Sequence, residues 1–176
     1  MFPVKYRRLA LALPAFLAAP AMAGLLTGLL TGPPEGGYPE IATPPAPAFS
    51  IDKTIEIPSR PESNVRLGID PATVTVESDG VVRYVAVARS ISGDAVTAFY
   101  EGVRCTTAEV KMYARHFVDG GWRPVSDPKW QSLYDPGPQR TSLAIAKAGI
   151  CQDASAGGSA PQIVQNLRND LLRYRP

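Results

Sequence analysis

The chain has 176 residues, which suits one domain with extensions. It carries 18 basic and 16 acidic side chains, but Lys5, Arg7 and Arg8 stand at the N-terminus, and without them the balance is 15 against 16. A body so near neutrality argues against a nucleic-acid partner, and one histidine is too few for a typical zinc site unless cysteine helps.

Residues 1–23 read as a secretory leader. Lys5, Arg7 and Arg8 form its basic start, residues 9–18 its apolar centre, and Ala21-Met22-Ala23 an A-x-A site that predicts cleavage between Ala23 and Gly24. The competing reading is an uncleaved inner-membrane anchor. Apolar residues recur through Leu30, so residues 9–30 reach the roughly 20 needed to span a bilayer, though Pro14, Pro20, Gly24 and Gly28 weaken them as a helix. No cysteine stands near the site, which excludes a lipoprotein anchor. Residues 24–50 are expected to be a Pro/Gly-rich linker, extended and partly polyproline-like, because so many prolines cannot build a packed element.

The folded domain is expected over residues 51–152. Residues 49–57 supply an edge strand stopped by Pro58, and residues 66–69 a short strand before Asp70-Pro71. Residues 73–77 and 81–89 alternate β-branched and small residues around Ser78-Asp79-Gly80. An Asp-Gly pair between such runs predicts a hairpin with a type I′ turn. On the second run Arg83, Val85, Val87 and Arg89 share one face; Val82, Tyr84, Ala86 and Ala88 share the other. Ser92-Gly93-Asp94 turns the chain into residues 98–105, where Phe99, Glu101, Val103 and Cys105 point one way. In residues 107–118, Ala108, Val110, Met112 and Ala114 alternate with Glu109, Lys111, Tyr113 and Arg115, the pattern of a strand with one buried and one wet face. Asp119-Gly120-Gly121 then turns into a short strand at residues 122–125, and a loop runs to Pro138.

Several motifs in this block follow one another in a fixed order. They are Asp70-Pro71-Ala72, Asp79-Gly80-Val81-Val82-Arg83-Tyr84, Tyr100-Glu101-Gly102-Val103-Arg104-Cys105, Tyr113-Ala114, Gly121-Trp122, Trp130 and Cys151. In them the chain resembles the CNP1-like family of small secreted bacterial proteins. The likeness runs over residues 51–151, and more weakly to the end. It implies export and carries no catalytic residue onto this chain. Where the family often has Asn-Arg with an aromatic or His before its last helix, this chain has Gln139-Arg140-Thr141-Ser142.

Leu143, Ala146 and Ile150 have helical spacing, with Thr141 or Ser142 to cap residues 139–149 and Gly149 to end them. Residues 153–176 are an Ala/Ser/Gly linker and an amphipathic helix opened by Pro161, with Ile163, Val164, Leu167, Leu171 and Leu172 as its stripe. That helix either docks on the domain or, freed by its linker, meets a partner or a membrane; the linker makes it separable from the fold. The fold class is therefore α+β: a small antiparallel sheet, a meander of hairpins, with one or two C-terminal helices packed on it. Export places Cys105 and Cys151 where thiols oxidise, and two cysteines allow one intrachain disulfide. Free redox thiols are the rival reading, opposed by the lack of C-x-x-C.

The chemistry on offer is sparse. No G-x-S-x-G, Walker, G-x-G-x-x-G or H-E-x-x-H pattern occurs, and His116 is expected as an exposed strand-end residue. Glu101 keeps apolar company and so needs a cation. Arg83 and Arg89, on the neighbouring strand, are the expected partners in a structural ion pair; the functional reading is an acid in a cleft. Tyr113 and Phe117 share a face followed by Trp122 and Trp130. Exposed, they suit glycan or peptide; a domain this small needs both Trp in its core. The sequence thus points to a periplasmic module that binds or interacts without catalysis or cofactor, its partner an envelope protein or glycan. A carboxylate-based envelope hydrolase and a membrane-anchored structural adaptor are the alternatives.

Overall fold

The long run Val81–Ser90 (β4) is the centre of the structure, a computed structural model that describes residues 39–58, 63–118 and 120–173. β1 (Ile55–Ile57) and β2 (Val65–Ile69) lie on one side of it; β5 (Val96–Arg104), β6 (Glu109–Phe117) and β7 (Gly121–Pro124) lie on the other. The order is β1-β2-β4-β5-β6-β7, antiparallel at every pairing. Short strands β3 (Thr75–Val76) and β8 (Gln131–Ser132) add to β4 and β6. Two helices follow, α1 (Gln139–Ile145) and α2 (Ala160–Arg173), joined by a wide turn at Ala146–Ile150 and a minimal hairpin of β9 (Cys151–Gln152) and β10 (Ser155–Ala156). The class is α+β, a meandering antiparallel sheet with two C-terminal helices. No described helix is long and apolar enough to cross a membrane.

Both faces of the sheet are covered. On one, Val82, Tyr84, Ala86, Val103 and Val110 pack under Ile145, Ile150, Ile163 and Leu167 of the helical layer. These four helical-layer side chains are fully buried, each contributing about 1.5–3 kcal/mol. The Cys105–Cys151 disulfide is present and ties the end of β5 to the end of the wide turn. The last helix, expected to be separable by its linker, is docked on the domain, where its Ile163 and Leu167 complete the core. The approach is close as well: at Gly149, whose φ is +143°, a Cβ would fall 2.7 Å from Asn166 Cβ. Nor does α1 carry a side-chain cap; Pro138 precedes it and the Ser142 hydroxyl is used elsewhere.

The opposite face is covered by residues 39–50. They were expected to be linker, yet they lie along the sheet as a strap. Ala46 and Phe49 pack on Val85, Val87, Ala98, Tyr100, Tyr113 and Ala114. Glu40, the Ile41 and Ser50 amides and the Pro47 carbonyl make the polar fastenings. Extended proline-rich backbone has few hydrogen bonds of its own to satisfy, so it can lie across a face of aromatic rings. The folded body thus begins before residue 51.

Two local expectations also change. At the β3–β4 turn only Gly80 has a positive φ, +71°, so the turn is not type I′; Asp79 instead folds its carboxylate back onto the Val81 amide. In β6 the alternation breaks. Tyr100 pairs with Ala114 and Glu101 with Met112, leaving Tyr113 as an extra residue in a β-bulge. Ala114 and His116 therefore join Tyr113 on the strap face, while Arg115 and Phe117 join Met112 on the helix face.

Candidate functional site

Each face of the sheet holds a buried carboxylate, in opposite surroundings. Under the strap, Asp79 receives the Arg83 guanidinium as a fork, Nη1 on Oδ1 at 3.2 Å and Nη2 on Oδ2 at 2.7 Å. The Val81 and Ile41 amides complete its shell. Burial pushes the Asp79 carboxyl up, but these donors push it down by more. Glu40 stands beside them. Lys111 Nζ and Trp130 Nε1 donate to its Oε2, Tyr113 Oη to its Oε1 at 2.8 Å, and Arg83 lies 3.9 Å away. Its carboxyl too ends below the usual range, the donors outweighing burial. Tyr113 reaches Glu40 because Gly102 leaves room: a Cβ there would fall 2.5 Å from the Tyr113 hydroxyl oxygen. Arg104 and Lys111 lie over the Trp130 ring at 4.2 and 5.0 Å. This cluster of paired charges holds the strap, with Arg83 Nε and Arg104 Nε buried and without hydrogen-bond partners among the described residues.

On the helix face the register pairs Glu101 with Tyr84. The expected ion pair of Glu101 with Arg83 or Arg89 is therefore absent. Arg83 pairs across from Gly102 and points beneath the strap, and Arg89 sits at the far end of β4 with a 3.3 Å bond to the Thr54 hydroxyl. Glu101 receives two hydroxyls instead, Tyr84 Oη at 3.1 Å and Ser142 Oγ at 3.0 Å, both on Oε2. Among the described residues no donor stands on Oε1. Burial raises the Glu101 carboxyl; the two hydroxyls and the positive charge of Arg115 oppose this and do not cancel it. Tyr84, itself fully buried, is held well above its usual value by burial and by the Glu101 charge.

Glu101 lines a cavity of about 320 Å³. Phe99 and Thr97 of β5, Met112, Arg115 and Phe117 of β6 and Ala86 of β4 form its walls, and Pro138 and Thr141 close it from the start of α1. The β6 bulge builds this wall, since an unbroken alternation would send Arg115 and Phe117 to the strap face. Arg115 lies over the Phe99 ring at 5.3 Å and donates weakly to Met112 Sδ at 3.8 Å. It is within reach of the Glu101 field but makes no ion pair with it. The remaining wall residues are apolar or bear a hydroxyl, so one acid and one cation face a mostly apolar space.

The other sequence-picked residues lie elsewhere. His116 is half-buried, edge-on to Phe49 at 5.0 Å and to Trp122 at 5.2 Å, rather than exposed at a strand end. Trp122 and Trp130 both lie under or beside the strap, donating to the Pro47 carbonyl and to Glu40. Ala23 and Gly24 fall outside the described residues. Among the described residues, no group of three His, Cys, Asp or Glu side chains is placed to hold a metal ion. Sequence reading missed Glu40 and Arg115. The first was hidden in a proline-rich stretch and the second was assigned to the wrong face.

The profile of the CNP1-like family matches residues 35–168, a span that takes in the strap, the whole sheet and most of the last helix. No curated protein and no solved structure matches the chain.

Proposed function

The chain belongs to the CNP1-like family, and on that premise we propose that it is an exported, non-catalytic binding module of the cell envelope whose ligand enters the Glu101 cavity. One observation carries the reading. A carboxylate is buried at the wall of an open, mostly apolar cavity with one oxygen satisfied and the other facing no donor among the described residues. A buried acid without a cation lowers stability, and a pocket that is mostly apolar with a few convergent polar groups is the usual form of a small-molecule site. Its volume suits a small molecule better than a glycan chain or a protein surface. The two-carboxylate hydrolase is disfavoured because Glu101 is the one acid among the described residues that line the cavity.

Export rests on the basic and apolar residues 1–23 and is supported by the disulfide, a bond that persists in oxidising compartments. The periplasm is the location proposed. An intact mass beginning at Gly24 is expected; a mass that retains residues 1–23 would favour the anchored alternative. For the cavity, the test is an NMR titration of the oxidised protein with a mixed panel of small polar-headed apolar molecules. Shifts should gather at Phe99, Met112 and Phe117. Shifts gathered under the strap instead, at Trp122 and Tyr100, would overturn the assignment.

A further inference from the structure

The Glu101 cavity holds two opposite charges that do not meet. Glu101 offers Oε1 from the wall, and Arg115 offers a guanidinium without a carboxylate partner among the described residues. Elsewhere on this sheet oppositely charged groups close on each other, as Arg83 does on Asp79 at 2.7 Å and Lys111 on Glu40. Here they stay apart, and both face the cavity with Phe99, Met112 and Phe117. The guanidinium is also positioned in advance. It rests on the Phe99 ring and on Met112 Sδ, so a ligand would have less side-chain freedom to remove on binding.

A ligand that satisfies both groups must carry a cation and an anion with an apolar body attached. A simple amine would leave Arg115 unmatched and feel its repulsion; a simple carboxylate would meet Glu101 as a like charge. A volume of about 320 Å³ is at the small end for ligand pockets, which sets the size. We propose that the cavity takes a free α-amino acid with an apolar side chain, its ammonium on Glu101, its carboxylate on the Arg115 fork and its side chain against Phe99, Met112 and Phe117. The inference rests on the reading of this cavity as a binding site. An ammonium donating to Oε1 would supply the bond that Oε1 lacks from the described residues, and the Arg–carboxylate pair is the geometry that a guanidinium fits best.

The probes are leucine, N-acetyl-leucine, which lacks the cation, and leucinamide, which lacks the anion. Each is titrated by calorimetry and NMR into the full, oxidised chain. Leucine should bind saturably with shifts at Phe99 and Met112, and either derivative should bind roughly tenfold or more weakly. Glu101→Gln should weaken leucine by a similar factor while leaving the weak binding of N-acetyl-leucine unchanged or improved. Arg115→Gln, at an exposed position where the fold is not at risk, should weaken leucine and leave leucinamide unchanged or improved. If a derivative binds in the cavity as tightly as leucine, the zwitterion inference is wrong while the cavity reading stands. If none of the three moves a cavity resonance, but other members of the mixed panel do, the inference fails in the same way; if nothing in either set does, the cavity reading falls with it.

Discussion

The strap face and the helix face of the same sheet bury carboxylates to similar depth, Asp79 at 3% exposure and Glu101 at 6%, and treat them in opposite ways. Asp79 is closed by a guanidinium fork and two amides and is held below its usual range; Glu101 is given two hydroxyls on one oxygen and is held above. The first arrangement satisfies both carboxylate oxygens, although the Arg83 Nε buried with them has no hydrogen-bond partner among the described residues. The second costs stability and leaves an acceptor facing a cavity. Burial alone therefore does not single out a candidate functional carboxylate; burial without a paired cation, beside space for a ligand, does.

Breaking the closed side should give the largest effect. Arg83→Met leaves Asp79 buried without its cation, and a loss of about 3–5 kcal/mol in denaturant unfolding is expected. A loss under 1 kcal/mol would mean that the two amides suffice, and the contrast between the faces would weaken. On the other side, the helical layer owes part of its attachment to the disulfide. Replacing Cys105 and Cys151 together by Ala should cost roughly 2–4 kcal/mol, since the bond closes a loop of 46 residues. Unchanged stability would mean that Ile145, Ile150, Ile163 and Leu167 hold the layer unaided.

The strap gives a smaller, pH-dependent effect. Glu40 is lowered from its ordinary value of 4.5, so its contribution is complete above that range and is lost as pH falls through the lowered value. Fluorescence of Trp122 and Trp130, the two tryptophans of the chain, should report the strap loosening in acid. Glu40→Gln should cost about 1–2 kcal/mol at neutral pH and remove that acid transition. A transition that persists unaltered in the variant would assign it to Asp79.

Much of this was legible in the chain, and the failures share a cause. The hairpin at Gly80, the strands on either side and the single possible cysteine pair followed from turn chemistry, alternation and counting. Glu101 was correctly placed beside Phe99 and Val103, but its partner was not, because a partner depends on register and no local pattern states that Glu101 faces Tyr84. The bulge at Tyr113 inserts one residue with no Gly or Pro to announce it, and every residue after it changes face. The strap was missed for a different reason. It docks through Pro47, Phe49, Glu40 and isolated amides, so it has neither helical nor strand periodicity to read. The helix face was easier in its core than at its edge, since Ile163 and Leu167 keep helical spacing while Arg115 looks like any exposed arginine.

The most direct test of an uncompensated acid at Glu101 is the stability of the wild type and Glu101→Gln across pH. A raised carboxyl contributes stability that is complete below its unfolded value and is lost as pH rises through the folded one. The glutamine variant lacks that loss and can still accept from Tyr84 and Ser142. It should be more stable than the wild type by about 1–2 kcal/mol at neutral pH, with the gap closing as pH falls toward the ordinary carboxylate range. A variant less stable than the wild type at neutral pH, or a gap that does not change with pH, would contradict it.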